Sequence, residues 1–146
     1  MKAVVQRVNF SKLSINGELY SKIDKGLLVL LGVEKEDEQK DIEYISKKIV
    51  NLRIFEDENE KMNLSVKDIK GQVMIVSQFT LCADCNSGNR PSFINAQLPD
   101  IANKMYEEVI QKVRETGLEV ATGKFGANMK INFENDGPVT ILLQSR

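Results

Sequence analysis

Apolar residues along the chain follow mainly the short periods that strands produce. Alternation over residues 1–8 predicts a strand, and the continuous apolar run over residues 27–33 predicts a buried one. Asn16 and Gly17 lie between two short β-type segments and predict a hairpin, because both residues tolerate the positive φ of a tight turn. Further strands are predicted over residues 72–80, 118–122, 129–133 and 139–144.

Two segments instead show the spacing of amphipathic helices, residues 37–52 and residues 99–116. Pro99 suits a first helical turn, and Gly117 follows the predicted end of the second helix. The apolar positions that form the two stripes are Ile42, Ile45, Ile49 and Leu52 in the first helix and Ile101, Met105, Val109, Ile110 and Val113 in the second.

The order of these elements is strands, helix, strand, helix, strands, without repeated βαβ units. This order favours the α+β class. We expect one domain over residues 1–146, in which antiparallel strands curl into a barrel-like sheet and the two helices pack outside it.

The composition is that of an ordinary globular protein, with 42% hydrophobic and 28% charged residues and a formal net charge of -1. A dedicated nucleic-acid binder usually carries a basic excess, so any contact with RNA should be local. The longest strongly apolar stretch, residues 27–33, is too short to span a bilayer, and the amino-terminal residues read as a strand. We therefore expect a cytoplasmic protein that does not enter a membrane.

The chain contains no histidine. A Ser-His or Cys-His catalytic pair is therefore excluded, and a zinc site would need an unusual set of ligands. Cys82 and Cys85 form a C-x-x-C pair, which occurs in redox dithiols and in zinc sites. No second cysteine pair accompanies them, and this favours two unpaired thiols.

Residues 76–82 place polar side chains at the end of a predicted strand. Ser77, Gln78 and Thr80 are candidates for a functional site, because strand ends commonly present such groups. Thr80 as a nucleophile would need a base other than histidine. Local hydrogen bonds that finish the strand explain the same residues equally well.

Residues 135–140, with the sequence Asn-Asp-Gly-Pro-Val-Thr, combine strong turn formers with a proline. A plain hairpin turn is the simplest interpretation, although the bond before Pro138 could be cis. Residues 123–129 contain a G-x-x-G pattern, but they lie between predicted strands and not between the helices of a KH domain. Arg90 could meet a phosphate, and a solvated arginine is the commoner explanation.

Taken together and in this order, the segments resemble the D-aminoacyl-tRNA deacylase family. The resemblance rests on Ser77-Gln78-Phe79-Thr80-Leu81 together with Asn135-Asp136-Gly137-Pro138-Val139-Thr140, and it covers nearly the whole chain. It implies a homodimer that hydrolyses the ester at the 3′ end of D-aminoacyl-tRNA, and of glycyl-tRNA mischarged on tRNA(Ala). It implies no metal, no organic cofactor and no DNA partner.

The resemblance also implies roles for particular residues. Thr80, Gln78, Ser77 and Phe79 would form the catalytic site. Gly137 and Pro138 would be joined by a cis bond and would enter the partner's active site, where they reject L-aminoacyl groups. Arg7 would brace this loop across the interface, and Phe125 and Met129 would line the pocket near the terminal adenosine.

Two mechanisms remain open at this stage. Thr80 either attacks the ester or positions it together with neighbouring backbone N–H groups, while the substrate's 2′-hydroxyl assists the water. The absence of histidine favours the second. The alternatives to an esterase are a non-enzymatic RNA-binding module, a redox protein built on the two cysteines, and a purely structural dimeric domain.

Overall fold

The computed structural model describes residues 1–146 and contains eight strands, two α-helices and one short 3-10 helix. The strands are β1 (Lys2–Ile15), β2 (Glu18–Ile23), β3 (Gly26–Gly32), β4 (Phe55–Glu56), β5 (Met62–Leu64), β6 (Gln72–Ser77), β7 (Glu119–Thr122) and β8 (Met129–Gln144). The α-helices are α1 (Gln39–Asn51) and α2 (Pro99–Arg114), and the 3-10 helix is Phe79–Cys82.

Strand β1 organises the main sheet. One of its sides pairs antiparallel with β8 along nearly the whole of its length. The other side pairs first with β3 and then with β2, so the long strand passes from one partner to the next. Strand β7, at the opposite edge of this sheet, comes back towards β2. There the Ser21 hydroxyl of β2 donates a 2.7 Å hydrogen bond to the carbonyl of Thr122 in β7. The sheet is therefore curled and nearly closed into a barrel.

The α+β class, the curled sheet and the two outer helices are confirmed, but the sheet is not wholly antiparallel. Strand β6 pairs parallel with both β3 and β7. Parallel neighbours need a long crossover connection, and α1 and α2 lie in these two connections. The expectation of antiparallel strands was wrong for these two pairings alone, because each crossover occurs only once and leaves no repeated βαβ signal.

Two apolar cores stabilise the fold. The larger lies between the sheet and the helices, and the smaller fills the inside of the curl around Val8, Leu13 and Met74. The predicted stripe of α1 is confirmed, since Ile42, Ile45 and Ile49 are buried. In α2 the stripe is rotated slightly: Ile101 is 44% exposed, and Ala102 and Tyr106 are buried instead.

Residues 135–140 do not form a hairpin turn. The segments before and after them both belong to β8 and both pair with β1, in which Gln6 lies opposite Thr140 and Val8 opposite Asn135. A step of two residues in β1 therefore lies opposite a step of five residues in β8, and the additional residues bulge outwards. The hairpin interpretation was wrong because turn-forming residues also suit a bulge within one strand.

Two smaller differences concern the ends of the predicted elements. The hairpin of β4 and β5 was not anticipated from the sequence, since its strands contain only two and three residues. Strand β6 ends at Ser77, and the chain then enters the 3-10 helix, so Thr80 lies beyond the strand that was predicted to reach it. Neither α-helix is long and apolar enough to cross a bilayer.

Candidate active site

A cavity of about 510 Å³ opens where β6 ends. Ser77, Gln78 and Phe79 line this cavity together with Phe125 and Met129. All five belong to the set of residues that the sequence suggested for the site, although 46 to 52 positions separate the two groups along the chain. The volume of this cavity lies within the range of small-molecule binding sites.

Backbone geometry fixes the turn that leaves β6. The Gln78 N–H donates a 2.7 Å hydrogen bond to the carbonyl of Leu31 in β3, and this extends the parallel ladder by one residue. The chain then folds closely over Gly32. A Cβ atom at Gly32 would lie 3.0 Å from the Gln78 carbonyl oxygen and 3.1 Å from the Leu81 Cβ atom. A larger residue there would push the 3-10 helix outwards and displace the wall that carries Gln78.

Thr80 stands beside the cavity and does not line it. Its side chain is exposed, and the Gln78 side-chain amide donates a hydrogen bond to its hydroxyl oxygen. Because Thr80 accepts this bond, its own proton is free to be donated to another group. Phe79 and Thr80 also begin the 3-10 helix, and the leading N–H groups of a helix have no acceptor within it. A carbonyl oxygen near the rim could therefore meet several donors.

Tyr106 also lines the cavity and was not among the residues suggested by the sequence. Its hydroxyl donates a 2.7 Å hydrogen bond to the carbonyl of Ile75 in β6. Burial raises the pKa of this phenol well above its ordinary value, so it stays protonated and does not serve as a base. Its position within the apolar stripe of α2 marks it in the sequence only as a core residue, so no sequence signal pointed to the site. Other lining residues without a sequence signal are Gln97, Ala127 and Asn128.

Aromatic residues form part of the rim. Phe79 is 57% exposed and contacts Phe93 edge-on, with ring centroids 5.0 Å apart. Arg90 is exposed in the loop that leads to Phe93 and forms no ion pair.

The two cysteines are free thiols, as the sequence favoured. Cys82 is buried beneath the 3-10 helix, where its thiol donates to the Val33 carbonyl. Burial raises the pKa of this thiol, which disfavours the reactive thiolate. Cys85 is exposed. The arrangement gives no support to a redox dithiol.

Arg7, Gly137 and Pro138 lie apart from this cavity. Gly137 and Pro138 are exposed at the β8 bulge, and neither lines the cavity of its own chain. The bond between them is cis, the state that the family resemblance implied. Gly137 has a φ of 128°, a backbone conformation that residues other than glycine rarely adopt.

Arg7 supports the β8 bulge from its buried side. Its guanidinium group is buried and donates to the backbone carbonyls of Asp136 at 3.1 Å and of Ile54 at 2.8 Å. It also lies 3.2 Å from the Asp136 carboxylate. On the outer side, the Asn135 side chain accepts a hydrogen bond from the Val139 N–H. Arg7 thus contacts the bulge of its own chain, and this differs from the expected contact across an interface.

The fold and the cavity define a single-domain α+β protein whose candidate site is built without histidine. The family model described as D-Tyr-tRNA(Tyr) deacylase matches residues 4–144. A D-aminoacyl-tRNA deacylase of Thermosipho africanus is 54% identical over 146 residues, which are 100% of this chain and 98% of that protein. The chain therefore belongs to the D-Tyr-tRNA(Tyr) deacylase family.

Two solved structures are similar to the whole chain. The c-Myc DNA Unwinding Element Binding Protein superposes with a TM-score of 0.95 at 44% identity, covering 100% of this chain and 99% of the other. A probable eukaryotic D-amino acid tRNA deacylase superposes with a TM-score of 0.83, covering 97% of each chain. At 17% identity the second likeness supports the fold alone.

Proposed function

We propose that this chain is a D-aminoacyl-tRNA deacylase, which hydrolyses the ester between a D-amino acid and the 3′ end of its tRNA. One observation carries the proposal beyond family membership. The two distant segments that the sequence suggested for the site, Ser77–Phe79 and Phe125–Met129, both line one cavity. Its aromatic and thioether side chains suit a nucleoside base, and its polar side chains suit the ester.

The chemistry that we propose relies on positioning and not on a side-chain nucleophile. No histidine is present to activate Thr80 as a nucleophile. The Thr80 hydroxyl, oriented by Gln78, and the leading N–H groups of the 3-10 helix would donate to the ester carbonyl and to the oxyanion that forms from it. The 2′-hydroxyl of the terminal adenosine would then assist the attacking water. An aminoacyl ester is already reactive, so such positioning can suffice.

Selection against L-aminoacyl groups would come from Gly137 and Pro138 of a second copy of the chain. In one chain these residues are exposed and do not reach the cavity, so a filter role requires a partner. In a homodimer their carbonyls would face the substrate's α-carbon, where an L side chain would collide. Strand β8 supports this assembly, because one of its sides pairs with β1 while its other side has no strand partner.

The same filter predicts acceptance of glycyl-tRNA, including glycyl-tRNA mischarged on tRNA(Ala). A filter that works by collision can reject only a group that occupies the forbidden space. Glycine places a hydrogen atom there and gives the filter nothing to exclude. We therefore propose glycyl-tRNA as a second substrate of the same site, with no metal or organic cofactor.

The main alternative is a nucleic-acid-binding module without catalytic activity. One of the similar solved structures belongs to a protein named for binding a DNA element, while the net charge of -1 here argues against a broad nucleic-acid surface. Catalysis decides between the two functions. Purified protein is mixed with D-tyrosyl-tRNA, and the released tyrosine is measured against an enzyme-free control. Release faster than the spontaneous rate supports the deacylase, and tRNA binding without release supports the module.

A further inference from the structure

A second and larger cleft, of about 890 Å³, adjoins the proposed active site. Tyr106 and Phe125 line both cavities, so these two side chains lie where the cavities meet. The cleft runs between the outer face of α2 and the segment that follows β7. It therefore leads away from the cavity on the side where Phe125 stands.

Three cations stand along this cleft: Lys104 and Arg114 on α2, and Lys124 directly before Phe125. All three are exposed, and none forms an ion pair with a carboxylate of the chain. Arg114 is held in place by a 3.1 Å hydrogen bond to the carbonyl of Val120. Cations that are not paired with a carboxylate of the chain are available to an anionic ligand.

The cleft also offers an aromatic surface and contains two carboxylates. The ring of Tyr20 is 51% exposed on its wall and could stack with a base. Glu107 and Glu108 lie on the same helix face as the cations, and Glu107 accepts a 3.1 Å hydrogen bond from Asn103. The mixed charges suit a short single strand with few phosphate contacts and do not suit a broad duplex-binding surface.

We infer that this cleft binds the single-stranded 3′ end of the substrate RNA, through the phosphates that precede the terminal adenosine. The inference rests on the proposed function, which places that adenosine near Phe125 and Met129. From there the preceding nucleotides would run along α2, where Lys124 meets the first phosphate and Lys104 and Arg114 the next ones. A chain with a net charge of -1 can thereby bind RNA through a local basic strip.

The test compares two substrates of the wild-type protein and of the double variant Lys104→Ala/Lys124→Ala. One substrate is D-tyrosyl-tRNA, and the other is D-tyrosyl-adenosine, which lacks the preceding phosphates. We expect the KM for the tRNA to rise about three- to tenfold with kcat unchanged, and KM for the adenosine ester to stay constant. The slope of log KM against log salt should fall by about 1.4, since each of the two lost phosphate contacts to a single strand contributes roughly 0.7.

A matched control removes two exposed lysines from another cleft, as Lys25→Ala/Lys67→Ala, and should leave both substrates unaffected. The variant Glu108→Gln should lower the KM for tRNA about twofold, because it removes a repulsive charge without changing the shape. An unchanged KM for tRNA in the lysine variant, or an equal change for both substrates, would overturn the inference.

Failure of the proposed function would appear differently. If the wild-type protein hydrolyses neither ester, the deacylase proposal fails, and the cleft is then tested by binding alone. The probe is a fluorescent single-stranded RNA with the tRNA 3′-terminal sequence. A Kd weakened at least threefold in the lysine variant, and not in the control, supports the cleft; equal Kd values refute it.

Discussion

The Arg7 guanidinium group donates a 3.1 Å hydrogen bond to the backbone carbonyl of Asp136, the residue directly before Gly137. The same guanidinium group is anchored to the Ile54 carbonyl at 2.8 Å, so a buried cation connects the β8 bulge to the β4 region. The bulge is consequently a supported element and not a free turn. This support matters if the bulge has to hold a fixed position against a substrate.

Replacement of Arg7 should relax the bulge and weaken selection between enantiomers. In Arg7→Ala we expect hydrolysis of L-tyrosyl-tRNA relative to D-tyrosyl-tRNA to rise by about tenfold or more, because hydrogen bonds from a charged group contribute roughly 1.5–3 kcal/mol. Arg7→Lys keeps the charge but cannot reach both carbonyls, and should give an intermediate ratio. Circular dichroism checks that both variants are folded. An unchanged ratio in a folded Arg7→Ala protein would contradict the bracing role.

Gly137→Ala should also weaken the selection between enantiomers, because it changes the bulge itself. The φ of 128° is strained for alanine, and its Cβ atom would lie 3.0 Å from the Val139 backbone nitrogen and 3.2 Å from an Arg7 side-chain nitrogen. We expect the bulge to shift and the discrimination between D- and L-tyrosyl-tRNA to fall. Gly17→Ala provides a control for positive φ alone, since φ there is 79°, the space around it is open and it does not line the cavity. Equal discrimination in the two variants would argue against a specific role for Gly137.

Thr80 and the substrate 2′-hydroxyl can be separated experimentally. If Thr80 positions the ester, Thr80→Ala should lower kcat by about ten- to a thousandfold and leave measurable turnover, as the loss of one oxyanion donor does. A 2′-deoxy substrate should then react slowly even with the wild-type protein. Single-turnover rates on both substrates give the answer. Complete loss of turnover in Thr80→Ala, with normal reaction of the 2′-deoxy substrate, would show that Thr80 is the nucleophile.

Asp41 provides a prediction about stability and pH. Burial alone would raise the pKa of this carboxyl. The carboxylate, however, accepts hydrogen bonds from Ser145 and from the Glu38 N–H, and it lies close to the positive charge of Arg146. Together these contacts outweigh burial and lower the pKa. Because the folded-state pKa is depressed, the stabilisation is present above the unfolded value near 3.9 and is lost as the pH falls through the lower folded value. The protein should therefore lose this contribution only in acid.

We expect Asp41→Asn to lower the free energy of unfolding by about 1–2 kcal/mol at pH 7, and by less at pH 3. Urea denaturation at the two pH values measures the difference. The exposed variant Glu43→Gln on the same helix should have little effect at either pH. A loss in Asp41→Asn that is as large at pH 3 as at pH 7 would contradict the charge argument.

Strongly periodic elements could be predicted from the sequence, and the reason is local. The apolar stripe of α1 and the continuous run of β3 each specify their own burial without reference to distant residues. The bulge of β8 could not be predicted in the same way, because its geometry depends on pairing with Gln6 and Val8 at the other end of the chain. Local turn formers look alike in a hairpin and in a bulge.

The candidate site likewise contains residues that a local pattern predicts and residues whose role depends on distant contacts. Ser77 and Gln78 were suggested because polar residues follow an apolar strand, and that signal is local. Tyr106 was missed, since an aromatic residue on a helix stripe is indistinguishable from core until its hydroxyl is seen to bridge to Ile75. Only the family resemblance implied that Gly137 serves a site other than the cavity of its own chain, because no local pattern shows where β8 carries the bulge.

The central claim is that the site hydrolyses D-aminoacyl esters of tRNA and rejects the L form. The most direct test is the initial rate of release of tyrosine from D-tyrosyl-tRNA and from L-tyrosyl-tRNA under identical conditions. We predict rapid release from the D substrate and release from the L substrate at no more than the spontaneous rate. Equal rates on the two enantiomers, or no release from either, would contradict the account.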